Sequence, residues 1–284
     1  MTKHVEVMDL VAQLKAAEEA FVLATVVRTV SVTAAKAGAK AIIRPDGTIV
    51  AGWIGGGCAR AAVLKAARQC ILHGKSRLVS IAPKDLLADL GVAPGEDRAG
   101  VFYAKNSCPS QGTMDIFVEP VLPSPRLLIL GASPVAVELA KLAPLMGFAV
   151  TVAAPPGELA RFEGACAKVE GFAAPANFGT KAYVVVSTQG AGDRAALAAA
   201  ARMQSHYRSF VGSKRKAETL RHELAAEGVP PAGLAAIKAP AGLNISAITS
   251  EEIALSILAE MVAARRSAQL IPADGPQNSG GPSP

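Results

Sequence analysis

Apolar and polar positions follow two different patterns along this chain of 284 residues. In the first half, helical spacing predicts a helix over 7–20, and short runs rich in β-branched residues, separated by turn signals, predict strands. In the second half, apolar runs alternate regularly with helical patterns, as in a parallel sheet covered on both faces. The sequence therefore predicts an α/β protein, with an N-terminal α+β domain followed by a Rossmann-like parallel-sheet domain.

The predicted elements follow from these patterns. In the first half, strands are expected over 21–27, 39–43, 48–51, 77–81, 100–104 and 113–119, with a helix over 59–73. In the second half, strands are expected over 126–130, 148–153, 182–187 and 207–211, with helices over 134–146, 193–204, 214–227 and 250–265, the last with Ser250 as its N-cap. Three prolines in 119–125 predict a stiff connector, and the Gly-, Pro- and Ser-rich end predicts a disordered tail. We expect domains at 1–121 and 122–266, and the tail at 267–284.

Composition narrows the class of protein. Apolar residues make up 51% and charged residues 18%, which excludes a disordered chain. The mean hydropathy of +0.33 is high, but the longest uncharged stretch, 142–157, has only 16 residues and contains three prolines. We therefore expect no membrane span. No secretory signal is readable, and the four cysteines are scattered without C-x-x-C spacing. A cytoplasmic protein with reduced thiols and no metal site is the expectation.

The net charge of +6 is mildly basic, and aromatic residues make up only 4%. Few side chains are available to stack on bases, so nucleic acid is not the expected partner. Anionic small molecules fit the charge equally well. Such ligands bind where backbone N–H groups and cations meet at the start of a helix.

The first candidate is the turn Gly131-Ala132-Ser133, between a predicted buried strand and a helix. This is the geometry of dinucleotide-binding folds, in which N–H groups at the helix start face a pyrophosphate. Ser133 stands where the fingerprint has its second glycine. The acidic residue expected at the end of the next strand to hold a ribose is missing, since that strand ends in Ala153-Ala154. A Rossmann-like fold is indicated more strongly than NAD binding.

Two further anion sites are predicted. Gly55, Gly56 and Gly57 allow close backbone approach to a ligand, and Cys58 follows them at a helix start, where a thiolate is favoured. The alternative is a tight turn with a buried cysteine. In the second half, Gly212-Ser213-Lys214-Arg215 places cations at the start of a helix, where the helix dipole disfavours them, so their placement favours a bound anion over a solvated basic helix end. Thr188 and Gln189 lie at the same sheet edge.

Cys108 lies in a polar loop. We expect it to be a functional residue rather than an ordinary loop residue only if the fold brings it near Cys58. These two cysteines are the candidate thiols of a reaction, and no other catalytic residue is indicated. No histidine adjoins either one in sequence, so a cysteine–histidine pair is not indicated.

Together these residues resemble the XdhC/CoxI family of accessory proteins that serve molybdenum hydroxylases. The similarity is carried by Gly55-Gly-Gly-Cys58, Val118-Glu-Pro120, the Gly131 turn, Gly212-Ser-Lys-Arg-Lys216 and the helix that begins near Glu251. Ser107-Cys-Pro-Ser110 is most similar to the CoxF branch, associated with carbon monoxide dehydrogenase. The resemblance implies that the N-terminal domain holds a molybdenum cofactor, molybdopterin or molybdopterin cytosine dinucleotide, with Cys58 as the thiol beside it. A dinucleotide form would place its pyrophosphate at the Gly131 turn and further anionic groups at Ser213 to Lys216. It also implies a homodimer that protects, modifies or delivers the cofactor to an apo molybdenum hydroxylase.

Three functions remain open from sequence. The first is a maturation factor, or chaperone, for a molybdenum hydroxylase, which we expect to be a cofactor-binding protein rather than a turnover enzyme. The second is an FAD- or NAD(P)-binding Rossmann protein, for which the Gly131 turn is the supporting feature. The third is an interaction protein without chemistry that assembles a client enzyme.

Overall fold

The structure is a computed structural model that describes residues 6–270 except 110, 165, 174, 176, 177, 180 and 191, together with the side chains up to residue 267. The chain divides into two compact units, Met1–Pro123 and Ser124–Pro284. Most of the predicted tail lies outside the described residues. No helix in the part of the chain described is long and apolar enough to cross a membrane.

The first unit is a mixed sheet with helices packed on it. Its elements are α1 (Val7–Ala16), β1 (Phe21–Val30), β2 (Lys40–Ile43), β3 (Ile49–Gly52), α2 (Gly57–His73), β4 (Arg77–Ala82), α3 (Lys84–Asp89), β5 (Asp97–Arg98), β6 (Val101–Lys105) and β7 (Thr113–Val121). The strand order is β3-β2-β1-β7-β4-β6-β5. All neighbours are antiparallel except β4 and β6. The strands predicted over 39–43 and 48–51 correspond to β2 and β3, which form an antiparallel hairpin.

Alternate residues of β1 face opposite sides of this sheet, as the period of a strand requires. Val22, Ala24 and Val26 belong to the core beneath α2. Phe21 and Leu23 belong to a second cluster with Leu14 of α1. The buried stripe of α2 consists largely of alanine and valine, so small side chains let the helix lie close to the sheet. Its first turn is thereby held in a fixed place.

The second unit has a purely parallel sheet in the order β10-β9-β8-β11-β12. Its elements are β8 (Arg126–Leu130), α4 (Pro134–Leu142), β9 (Ala149–Ala154), β10 (Ala167–Glu170), β11 (Tyr183–Val186), α5 (Asp193–Arg202), β12 (Tyr207–Phe210), α6 (Lys214–Ala226), α7 (Pro231–Ala235) and α8 (Ser250–Leu270), with 3-10 helices at Ala143–Met146 and Pro156–Arg161. The strand order is that of a Rossmann-like sheet, so the predicted fold class is confirmed.

Both faces of this sheet are covered. Leu127 and Ile129 of β8 pack with α4 and α8, whereas Leu128 and Leu130 pack with α5, α6 and α7. A strand buried on both sides has no polar alternation, which explains the continuous apolar run of β8. The strand order reverses between β8 and β11, and ligands of such folds bind at the carboxyl ends of those strands.

Several element boundaries differ from the sequence predictions. Pro120 and Val121, predicted as connector, continue β7, because they pair with Val22 and Phe21 of β1. Helix α8 continues through residue 270 rather than ending at 265.

The N-cap of α8 is Thr249 rather than Ser250. The Thr249 hydroxyl accepts from the Glu252 N–H, and the Glu252 carboxylate accepts from the N–H groups of Ile248 and Thr249. This reciprocal arrangement is a capping box. It begins the helix one residue earlier than predicted, and these two N–H donors hold the pKa of Glu252 below its ordinary value.

Candidate functional site

A pocket of about 300 Å³ in the first unit contains both candidate thiols. Cys58 and Cys108 line the same pocket, together with Gly56 and Gly57. The remaining lining residues are Thr33, Ala34, Ala59, Ile81, Asn106, Ser107, Gly112 and Met114. The volume is at the lower end of the range typical of small-molecule sites. Cys108 was expected to have a functional role only if the fold brought it near Cys58, and the two cysteines do line one pocket.

The start of α2 forms one wall of this pocket. Gly56 is the N-cap, no side chain caps the helix, and its first turn carries no acidic residue. The first helical hydrogen bond runs from the Arg60 N–H to the Gly56 carbonyl, which leaves the N–H groups of residues 57–59 without a helical acceptor. An anion in the pocket therefore meets N–H donors and the positive end of the helix dipole.

The loop that carries Cys108 is held against the pocket by Asn106. Its amide donates to the Gly112 carbonyl over 2.6 Å, and its side-chain oxygen accepts from the Cys108 N–H over 2.9 Å. A Cβ at Gly112 would overlap the Val32 carbonyl oxygen and lie 2.7 Å from Thr33 Cγ2. Glycine is therefore required where this loop lies against the end of β1. Asn106 was not predicted as a site residue, although an Asx residue two positions before Cys108 is a turn signal.

None of the described residues that line the pocket is charged. An anionic ligand would therefore be held by backbone N–H groups and polar side chains, with the two thiols beside it. Within the part of the chain described, no group of three or more His, Cys, Asp or Glu side chains is arranged to hold a metal ion.

We expect the cysteines of the first unit to differ sharply in reactivity. Cys70 is buried under α2, and burial raises the pKa of its thiol to about 11, although Arg77 acts in the opposite direction. Iodoacetamide at neutral pH should label Cys58 and Cys108 in the folded protein and leave Cys70 unlabelled, because the thiolate is the form of cysteine that attacks this reagent and displaces its iodide. Peptide mass spectrometry measures this, with urea-unfolded protein as the control. Equal labelling of Cys70 in the folded protein would contradict the assigned burial.

The Gly131 turn of the second unit lies at the point where the strand order reverses. Gly131 has φ +114°. A Cβ there would overlap the Ser187 carbonyl oxygen and lie 2.7 Å from its carbon. The Ser133 hydroxyl is 2.6 Å from the Ser187 hydroxyl and accepts from the Ala136 N–H, and the Ser133 N–H donates to the Ser187 carbonyl over 3.2 Å. Glycine is therefore required here for packing, and Ser133 directs its polar groups toward the protein.

The end of β9 carries no acidic side chain, as the sequence predicts. Ala153 and Ala154 are fully buried. A cation approaches the turn instead, since the exposed Arg161 donates to the Ala132 carbonyl over 3.0 Å. Arg161 was not predicted as a site residue, because it lies in a 3-10 helix that the apolar pattern does not indicate.

Thr188 belongs to a buried network that the sequence did not reveal. The Thr188 hydroxyl and Gly190 N–H donate to Asp193, and Lys216 forms an ion pair with the same carboxylate. Burial opposes ionisation of Asp193, but Lys216, Thr188 and Gly190 together hold its pKa below the ordinary value. The network joins the loop after β11 to the start of α6.

The basic helix start is therefore only partly available to a ligand. Ser213 caps α6 by accepting from the Lys216 N–H, and Lys216 pairs with Asp193, whereas Lys214 and Arg215 are exposed. Gly212 lies against Phe210, where a Cβ would overlap the ring at Cε1 and lie 2.7 Å from Cζ. Gln189 is exposed with φ +53°, which is unusual for a residue other than glycine. These residues share the carboxyl edge of the sheet, as predicted.

Comparison with known proteins shows which protein family the two units resemble. A model of the XdhC and CoxI family matches residues 14–82, and a model of the XdhC Rossmann domain matches residues 127–261. The chain is 30% identical over 243 residues to YqeB of Escherichia coli strain K12, described as an uncharacterized protein. That alignment covers 81% of this chain and 41% of the relative, so the chain spans about two fifths of the length of the curated relative it matches.

A crystal structure described as a xanthine dehydrogenase from Bacillus halodurans also resembles this chain, with 21% sequence identity and a TM-score of 0.43. The match covers 92% of this chain and 96% of that one. The fold and the family models define a two-unit protein with a mixed-sheet first unit and a Rossmann-like second unit. The first unit is thus similar to the XdhC and CoxI family, and the second to the XdhC Rossmann domain.

Proposed function

We propose that this protein is a maturation factor for a molybdenum hydroxylase and holds the pterin cofactor of that enzyme in the pocket of its first unit. The family domains support the maturation role. The observation that supports this binding site is that Cys58, Cys108 and the uncapped start of α2 line one pocket. A pterin cofactor has a terminal phosphate and a metal-binding sulfur pair, so it needs an anion site and tolerates soft sulfur neighbours.

The pocket residues fit this cargo in chemistry and size. The N–H groups of residues 57–59 suit the phosphate, because they lack helical acceptors and lie at a positive helix end. Cys58 and Cys108 supply sulfur beside the metal end, and Ile81 and Met114 exclude water. The volume of about 300 Å³ favours molybdopterin over its cytosine dinucleotide, whose nucleotide would need further surface. The bound cofactor supplies molybdenum redox chemistry to the client enzyme.

The proposed client is an apo molybdenum hydroxylase of the carbon monoxide dehydrogenase or xanthine dehydrogenase type. The presence of Cys108 in the pocket supports the first type, because the segment around it is the one similar to the CoxF branch. We propose that a cytoplasmic homodimer protects the cofactor, modifies it or inserts it. Within this role the chain acts by binding and transfer rather than by turnover.

The test is cofactor retention by Cys58→Ser. Molybdenum cofactor freshly released from a donor hydroxylase is mixed anaerobically with the full chain, and bound molybdenum is measured after gel filtration. We expect at least tenfold weaker binding, because the thiol that lies at the helix start is lost. The control is Cys166→Ser, which changes a partly exposed cysteine of the second unit. Equal retention by Cys58→Ser and wild type would rule out the proposed contact.

A second candidate function is the binding of FAD or NAD(P) at the carboxyl edge of the parallel sheet. The observation that favours it is the position of Gly131 at the point where the strand order reverses, with the Arg161 guanidinium beside it. Equilibrium dialysis with FAD, NAD and NADP tests this function. It predicts saturable binding that Arg161→Ala weakens, and it is wrong if none of the three nucleotides binds.

A further inference from the structure

The first unit carries a strong charge asymmetry around its pocket. Between residues 20 and 84 the sequence has ten lysines and arginines and one acidic residue, Asp46. Three of these cations, Arg28, Arg44 and Arg77, form ion pairs with carboxylates outside that segment. Much of the remaining positive charge is collected on one element, α2, which contains no aspartate or glutamate.

The exposed side of α2 is basic along its length. Arg60, Lys65 and Arg68 are exposed and lie within about 140° of each other around the helix axis, at 100° per residue. In the part of the chain described, no carboxylate lies within ion-pair distance of any of the three. Lys65 lies over the Phe102 ring at 4.9 Å, which fixes its position. We call Arg60, Lys65, Arg68 and Leu72 the α2 face.

Apolar anchors accompany this charge. Leu72 is 65% exposed on the α2 face, and Trp53, the sole tryptophan, is 57% exposed three residues before the N-cap of α2. Tryptophan and arginine are the residue types that most often dominate the energy of protein interfaces. Nucleic-acid surfaces use cations with several stacking aromatics, whereas this surface combines cations with isolated apolar side chains.

We propose that the α2 face, with Trp53, is the docking surface for an acidic surface of the client enzyme. A second copy of this chain is a poor occupant, because a two-fold contact would bring the basic face against itself. An acidic partner relieves the unpaired charge and is steered toward the face over long range. Since the first turn of α2 also lines the pocket, a partner docked along the helix lies beside the place from which cargo would leave. The identity of the partner rests on the proposed function.

The test compares two double charge reversals in the full chain. Lys65→Glu/Arg68→Glu changes the α2 face at residues that do not line the pocket, and Lys15→Glu/Lys84→Glu makes the same change in net charge at exposed residues of α1 and α3. Biolayer interferometry measures binding of the host's own molybdenum hydroxylase, isolated without its cofactor. We expect salt-sensitive binding by wild type, at least tenfold weaker binding with slower association for the α2 variant, and less than a twofold change for the control.

Several results would overturn the inference. One is hydroxylase binding by the α2 variant equal to that of wild type, and another is a loss of binding in the control as large as that in the α2 variant. The others are no hydroxylase binding by wild type, or binding by wild type only to a DNA duplex or to anionic vesicles. Molybdenum retention is measured on the same proteins. If wild type binds the hydroxylase but retains no molybdenum cofactor, the proposed function alone is contradicted. If Lys65→Glu/Arg68→Glu retains the cofactor and binds the hydroxylase as wild type does, the docking surface alone is contradicted.

Discussion

Replacement of Gly131 by alanine is expected to lower the free energy of unfolding of the second unit by about 3 kcal/mol or more. Two costs add. A side chain at φ +114° is strained by roughly 1–2 kcal/mol. The new Cβ would also overlap the Ser187 carbonyl oxygen and lie 2.8 Å from Thr188 Cα, and a forced backbone shift costs about 1–3 kcal/mol more. Because β8 and β11 are central strands, the shift cannot be confined to a surface loop.

Gly147→Ala is the matched control. Gly147 also has a positive φ, of +78°, but a Cβ there would meet nothing within 4 Å. We expect a loss of about 1 kcal/mol, from backbone strain alone. Hydrogen exchange of the β8 and β11 amides in increasing urea measures the stability of the second unit separately from the first. Equal losses in the two variants would contradict the close approach of Gly131 to Ser187.

The second large effect is expected from Asp193→Ala, which should destabilise the second unit by about 3 kcal/mol. Asp193 is 5% exposed, and its carboxylate accepts from Thr188, Gly190 and Lys216. Removing it leaves the buried Thr188 hydroxyl without its acceptor and separates the loop after β11 from the start of α6. The same hydrogen-exchange measurement applies. The control is Glu223→Ala, which removes an exposed ion pair with Arg194 and should cost less than about 1 kcal/mol.

The pH dependence of the Asp193 effect has a definite sign. Its pKa is held below the ordinary value of 3.8, so the folded state releases this proton more readily than the unfolded state. The stabilisation is therefore complete above the ordinary value and is lost as the pH falls through the lowered one. The difference between wild type and Asp193→Ala should shrink in acid. A difference that grows as the pH falls would show that the carboxylate is protonated in the folded protein.

The second unit was the more predictable half of the chain. A strand buried on both faces needs an uninterrupted apolar run, and residues 127–130 provide one. This run is bounded by a proline-rich connector and Gly131, so it is too short for a helix and indicates a strand. The limits of the elements were less predictable, because hydrogen bonds outside the apolar pattern set them. Thr249 and Glu252 cap α8 reciprocally, and the pairing of β1 with Val121 extends β7 into the predicted connector.

The candidate pocket was predictable only in parts. The Gly55–Cys58 loop is visible in the sequence because glycines precede a helix, and Cys108 is visible as a cysteine in a turn. Their meeting depends on the non-local order β1-β7-β4, which a local pattern does not encode. Asp193 was missed for the same reason, since an acidic residue at a helix start is ordinary until Lys216, 23 positions later, is found beside it.

The most direct test of the proposed cargo is the identity of the small molecule that the protein carries from its own host. The full chain and its Cys58→Ser variant are purified anaerobically, unfolded, and the released compounds are identified by mass spectrometry. A molybdenum pterin bound to wild type and depleted in Cys58→Ser is the predicted result. A flavin or nicotinamide nucleotide alone, or a pterin retained equally by both proteins, would contradict the assignment of the pocket.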